Sequence, residues 1–263
     1  MLVINSINSC AGLLVGTLVG FTGVGGGALM TPILVFLFGI APQTAVGTDL
    51  LFAMLTKTVG GWVHGAHGAI DWLIVRRLWL GSIPSALMTL YFINYAKSHL
   101  PIGAVILPML GVALTITSAG LFFQRRLHNL GMRLRTNFAT DFKFMQPGLT
   151  VLAGALLGFL VTLTSVGAGA IGTVLLVYLY PYRMKAAKLV GTDIAHAVPL
   201  TLVAGLGHLA LGNVDLKLLG ELLVGSIPGV IAGSLLSHRL NPRWTTRAIA
   251  VMLILVAARL FAH

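Results

Sequence analysis

The sequence predicts an all-α, polytopic membrane protein built from two homologous halves, and three observations carry that reading. Apolar residues make up 57% of the 263-residue chain and charged residues only 9%, against roughly 45–50% and about 25% in soluble domains. The apolar residues fall into long runs at about 11–39, 43–63, 72–95, 101–123, 147–180, 186–207, 215–237 and 244–261, and a spanning helix needs roughly 20 such residues. The third observation is a motif set that recurs at one fixed spacing. A soluble surface needs far more charge than this chain holds, whereas helices facing lipid do not.

Six of the eight runs fit a single span. The first and fifth are too long and too rich in glycine. The first contains Gly23-Val24-Gly25-Gly26-Gly27 and the fifth contains Ser165-Val166-Gly167-Ala168-Gly169. Each interior glycine weakens a helix by about 1 kcal/mol, so both runs are expected to be pairs of short helices joined by an unwound strip. The polar gap from Gln124 to Gln146 holds Arg125, Arg126, Arg133, Arg135 and Lys143 against Asp141. It divides the chain into a first repeat (1–123), a cytoplasmic basic linker (124–146) and a second repeat (147–263).

The repeat is visible within the chain itself. Gly47-Thr48-Asp49 recurs as Gly191-Thr192-Asp193, the set His64, Gly68, Asp71 as His208, Gly212, Asp215, and Gly81-Ser82-Ile83-Pro84 as Gly225-Ser226-Ile227-Pro228, all at an offset of 144. The glycine strips match at 142, which a two-residue indel explains. If every run crosses once, the halves are parallel. If each broken run is a re-entrant hairpin, each half has three crossings and the second half is inverted. Basic residues in short loops favour the cytoplasm. With the linker inside and Lys57 set aside as membrane-embedded, the parallel arrangement gives nine basic residues inside and seven outside. The inverted one gives thirteen and three. The expectation is therefore an inverted repeat, each half a broken, re-entrant helix pair plus three transmembrane helices.

Net charge is +11, but the basic residues sit in gaps between apolar runs rather than on a groove-reading face, which argues against nucleic acid. The one cysteine, Cys10, excludes an internal disulfide and a thiolate metal cluster. The N-terminus lacks a basic segment before its apolar stretch, so no cleaved signal peptide is expected. No nucleophile elbow or phosphate loop is present: Ser165 has Leu163 where the elbow needs glycine, and the glycine strips lack a following Lys-Ser/Thr. No catalytic residue, cofactor or metal site is expected.

The candidate chemistry lies in the unwound strips. Helix termini at mid-membrane expose N–H groups and a positive dipole end, which together bind anions, and paired glycine-interrupted segments point to a transporter site. Gly25, Gly26 and Gly27 with Gly167, Ala168 and Gly169 are the first-choice substrate contacts, joined by the hydroxyls of Thr48 and Thr192. Close packing by small residues is the competing reading. Asp49 and Asp193 are read as lying in first turns, either capping their helices or carrying protons. Lys57 has Thr201 as its counterpart and lies outside the repeat. A lysine within a span is a functional hypothesis by default, and it is expected to attract an anion or to pair with Asp49 or Asp193. His196 is read as a packing histidine or a proton relay. Pro84 and Pro228 should kink equivalent helices, with Ser82 and Ser226 bonding the freed carbonyls. His64, His67 and Asp71 read as an interfacial turn rather than a metal site, and Arg76 and Arg77 as interface anchors.

Together the Gly-x-Gly-Gly-Gly strip, Pro32, Ala45-Val46-Gly47-Thr48, the His64…Gly68…Asp71 turn and the Gly81…Pro84 helix, repeated in the second half, resemble the TauE/SafE family of sulfite and organic-anion permeases. The resemblance covers nearly the whole chain. It implies a secondary carrier, often an exporter, of a small anion such as sulfite, an organosulfonate or a carboxylate, in the cytoplasmic membrane as monomer or homodimer. Two departures are the Gly-Ala-Gly of the second strip and the Asp of both Gly-Thr-Asp triplets. An anion channel with the same pore and, more distantly, a metal-cation transporter are the alternative functions.

Overall fold

A computed structural model describes residues 6–22, 27–63, 70–97, 102–137, 139–236, 250–251 and 253–258. Among these the chain is helical, with ten elements: α1 (Ser6–Thr22), α2 (Gly27–Phe36), α3 (Pro42–Val63), α4 (Trp72–Ala96), α5 (Ile102–Phe122), α6 (Gln124–Asn137), α7 (Ala139–Thr164), α8 (Ala170–Leu179), α9 (Ala186–Ala210) and α10 (Leu216–Leu236). Residues 250–251 and 253–258 are also helical. Five of the helices are long and apolar enough to cross a membrane. Large apolar side chains such as Leu80, Met88, Tyr91, Leu152 and Leu235 stand exposed on the outside, as they must where the solvent is hydrocarbon. The chain is a multi-pass membrane protein.

The second glycine-dense run is interrupted, whereas the middle of the first, residues 23–26, lies outside the described residues. α1 stops at Thr22 and α2 starts at Gly27, while α7 stops at Thr164 and α8 starts at Ala170. Elements recur in the register of the motifs: α3 and α9 begin 144 residues apart, as do α4 and α10, and α1 and α7 end 142 apart. The stretch from 124 to 146, read as a linker, is itself helical, forming α6 and the first turns of α7. Its apolar side turns inward, with Leu127 and Leu134 packed on core clusters and Gly131 against the backbone of Tyr178. Arg126 and Arg133 face outward.

The helices pack reciprocally. α1 lies along α10, and α7 lies along α4. At the first pair, a methyl group on Gly12, Gly16 or Gly20 would fall 2.1, 2.4 or 2.3 Å from the carbonyl oxygen of Leu222, Ser226 or Val230, and one on Gly225 would fall 1.8 Å from that of Ser9. The second pair repeats the pattern, with Gly154 at Leu78, Gly158 at Ser82 and Gly81 at Val151. Residue numbers rise together in both pairs, so α1 runs parallel to α10 and α7 parallel to α4. Such backbone contact is how membrane helices associate when there is no hydrophobic force between them.

α3 and α9 meet in the opposite sense, with Gly47 at Asn213, Leu51 at Gly205 and Gly61 at Ile194, so these two equivalent helices cross antiparallel at the centre. α2 packs on α3, with Thr31 beside Asp49. Among the hydrogen bonds between the halves, two are equivalent by the repeat: the Asp71 amide donates to the Thr192 hydroxyl (3.0 Å) and the Asp215 amide to that of Thr48 (3.1 Å). Ser82 and Ser226 do not bond the carbonyls expected near the prolines. Ser82 meets His196 at 3.0 Å, and the Ser226 hydroxyl is buried without a hydrogen-bond partner among the described residues.

A substitution pair tests the glycine contacts. Gly225→Ala should lower stability by ~1–3 kcal/mol, because the helices must part. Gly220→Ala, on the same helix with nothing within 4 Å, should be neutral or gain up to ~1 kcal/mol. Thermal unfolding in detergent reads both.

Candidate functional site

The polar residues of the interior collect where the α7–α8 break meets the centre of α3 and α9. The strip bends because Ser165 has φ 59° and Gly167 φ 117°, a region that side chains other than glycine enter at a cost. The amides of Gly169 and Gly172 turn onto the carbonyl of Gly167, at 2.6 and 3.1 Å. The strip and the start of α8, residues 160–174, are buried throughout.

Lys57 answers this break. Its ammonium donates to the Ala168 carbonyl and lies 3.3 Å from the Asp193 carboxylate. Lys57 and Asp193 are 4% and 1% exposed, so the pair lies in a medium where breaking it is expensive. Of the two expected partners, the lysine takes Asp193 and not Asp49. Gly172 permits the carboxylate to sit close to α8: a methyl there would fall 2.6 Å from Asp193 Oδ1. That oxygen has no hydrogen-bond partner among the described residues.

Asp49 occupies the equivalent place in the first half. It accepts the Thr31 amide (3.1 Å) and hydroxyl (2.5 Å), and the Ser165 hydroxyl of the other half stands beside it. Its Oδ1 is also unpartnered among the described residues. Neither aspartate lies in a first turn, since α3 begins at Pro42 and α9 at Ala186, so neither caps its own helix. Asp49 instead holds α2. His196 Nε2 meets Ser82 Oγ at 3.0 Å while its carbonyl accepts the Trp79 indole (3.3 Å).

The predicted residues thus separate into groups. Gly167, Ala168, Gly169, Lys57 and Asp193 come together directly, and His196 lies one turn along α9 from Asp193. Thr48 and Thr192 are buried, and their hydroxyls accept the amides that open α10 and α4. Gly27 begins α2, whereas Gly25 and Gly26 lie outside the described residues, as do His64 and His67. Thr31, Ser165 and Ser82 are additions. Thr31 carried a signal in the chain, since Thr173 lies 142 residues on, in the register of the glycine strips.

The bundle ends differ in charge. Asp71, at the start of α4, is buried and bonds Arg183 at 2.7 Å and Lys188 at 3.1 Å. Arg77 reaches the Tyr180 hydroxyl at 3.5 Å, and Gly131 of α6 touches Tyr178. The basic residues of α4, α6 and the α8–α9 loop therefore share one end.

Comparison with known proteins places this arrangement. The model of the family described as sulfite exporter TauE/SafE matches residues 9–260. YjnA of Bacillus subtilis (strain 168), named a probable membrane transporter protein, is 41% identical over 237 residues, covering 88% of this chain and 90% of the relative. YdhB of the same organism, named likewise, is 28% identical over 92% of this chain and 96% of its own. MJ0441 of Methanocaldococcus jannaschii, also named a probable membrane transporter protein, is 26% identical over 92% and 88%. No solved structure matches.

The ion pair sets a prediction. Lys57→Met should destabilise the protein by ~3–5 kcal/mol, the cost of stranding one buried charge. Adding Asp193→Leu should restore most of that loss in thermal unfolding while leaving transport absent. Equal loss in the single and double variants would show that the two side chains do not depend on one another.

Proposed function

Because this chain belongs to the sulfite exporter TauE/SafE family, we propose that it is a secondary carrier exporting a small anion such as sulfite, an organosulfonate or a carboxylate from the cytoplasm, with transport coupled to protons. The observation that carries this reading is the buried ammonium of Lys57, held between the carbonyl of a broken helix and a single carboxylate at the crossing of α3 and α9. An anion reaching this point competes with Asp193 for the lysine and with the Gly167 carbonyl for the amides of Gly169 and Gly172. The displaced carboxylate takes a proton, since two negative groups do not share one cation in a dry site. Asp49, whose Oδ1 has no hydrogen-bond partner among the described residues, is the second proton-carrying group, and His196 tunes the charge between them. The first strip, Gly25–Gly27, completes the anion site from the other half, with Thr48 and Thr192 coupling helix movement between halves.

The halves, 1–123 and 147–263, form an inverted repeat in the cytoplasmic membrane. The antiparallel crossing of α3 and α9 supports this, because a two-fold axis relating them lies across both helices. The ion pairs of Arg183 and Lys188 with Asp71, five residues before Arg76, support it too. A parallel arrangement would put Arg76 and Arg183 on opposite faces. A buried strip accords with alternating access around a fixed midplane site.

Two experiments decide the reading. In liposomes the protein should drive sulfite, or a sulfonate or carboxylate found in a binding screen, uphill against its gradient when a proton gradient is imposed. Flux that only ever runs downhill would make it a channel. Gly26→Leu and Gly167→Leu should abolish flux with normal insertion, and full flux in both would remove the strips from the site. For topology, Cys10→Ser carrying single cysteines at Asn129, Tyr182 or Lys97 should label with an impermeant thiol reagent at the first two positions from one side and at the third from the other. Labelling of positions 129 and 182 from opposite sides would rule out inversion.

A further inference from the structure

Outside the central cluster, α3, α4 and α9 line a cavity of about 370 Å³, within the range of small-molecule sites. Its walls are Trp62 of α3, Trp72 and Trp79 of α4, and Ile194, Ala195 and Val198 of α9. It opens on the outer surface of the bundle, where Trp62 is 76% and Trp72 53% exposed. Trp79 forms a fixed inner wall, its indole N–H on the His196 carbonyl and its ring edge-on to Trp72 at 6.4 Å.

Charge at the mouth says what fits. Trp72, Arg76 and Trp79 follow one another by four and three residues, which places them on one face of α4. Arg76 is exposed. Asp71, immediately before Trp72, is occupied by Arg183 and Lys188, both of which remain partly exposed, so that group keeps an excess positive charge. An apolar slot among tryptophans, opening sideways next to unneutralised cations at one end of the bundle, matches a molecule with a hydrocarbon tail and an anionic head.

We propose that the slot holds one acyl chain of an anionic glycerophospholipid whose phosphate is bound by Arg76. The lining residues Thr58, Gly191 and Ile194 directly neighbour Lys57, Thr192 and Asp193 in the chain, so the slot lies against the same helices that carry the ion pair.

Brominated acyl chains quench tryptophan on contact, and the slot holds three of the four tryptophans of the chain. In liposomes, Trp244→Phe protein should reach half-maximal quenching at about fivefold lower fraction of dibrominated phosphatidylglycerol than of dibrominated phosphatidylcholine, the effect of one basic group near a phosphate. Arg76→Gln, an exposed change that leaves the fold intact, should erase the difference. Lys143→Gln, an exposed cation on α7, should retain it. Ala195→Phe, which fills the slot, should reduce quenching by both lipids. Equal quenching by the two lipids in the parent, a preference that survives Arg76→Gln, or one lost equally in Lys143→Gln would each overturn the proposal.

Discussion

A helix interrupted inside a bilayer releases backbone groups that no water can satisfy, and each must find a partner within the protein. The α7–α8 break meets this demand with two devices. The Gly167 carbonyl takes two amides of its own strip, and the Ala168 carbonyl takes the Lys57 ammonium. The second device imports a charge, which then requires Asp193, and the carboxylate in turn requires α8 to approach without a side chain at Gly172. One broken helix thus dictates a lysine on α3, an acid on α9 and a glycine on α8. The central cluster is the consequence of that chain of requirements, and the same groups supply what a negatively charged solute needs.

The reciprocal packing explains how such a site is held. Each half lends its first helix to the other, α1 to α10 and α7 to α4, and the contacts are backbone on backbone. Thr48 and Thr192 close the arrangement by receiving the amides that open the partner half's fourth helix. The hydroxyls first read as solute contacts therefore serve as joints between halves in this structure.

Much of this was legible in the chain. Hydrophobic runs of spanning length and a repeat register of 142–144 residues anticipated the spanning helices α4, α5, α9 and α10 to within a few residues, and the glycine cluster at 167–169 marked the α7–α8 break. The central site was legible in part. Lys57 stood out because a cation in an apolar run demands a reason, and Gly167–Gly169 because glycine clusters weaken helices. The pairing was not legible: Lys57 could reach either aspartate, and only the antiparallel register of α3 and α9 selects Asp193. Thr31 and Ser82 were missed as partners because a hydroxyl in a membrane helix usually bonds its own preceding turn, as Thr117 and Thr201 do here, and sequence does not mark the exceptions. The helix within the 124–146 stretch was not legible because its polar content hides an apolar stripe, Leu127, Gly131 and Leu134, at helical spacing.

The pseudo-symmetry is broken at one further point. Asp71 is clamped by Arg183 and Lys188. Its counterpart Asp215 has Gly39 and Thr44 at the matching positions and keeps to its own helix, receiving the Leu218 amide at 2.9 Å. A rocking machine with identical ends would idle equally often in either pose. Among the described residues Asp71 is held in a charged clasp and Asp215 is not, so parting the first contact costs work that parting the second does not. If the two ends part in turn, that imbalance sets which of them stays shut at rest.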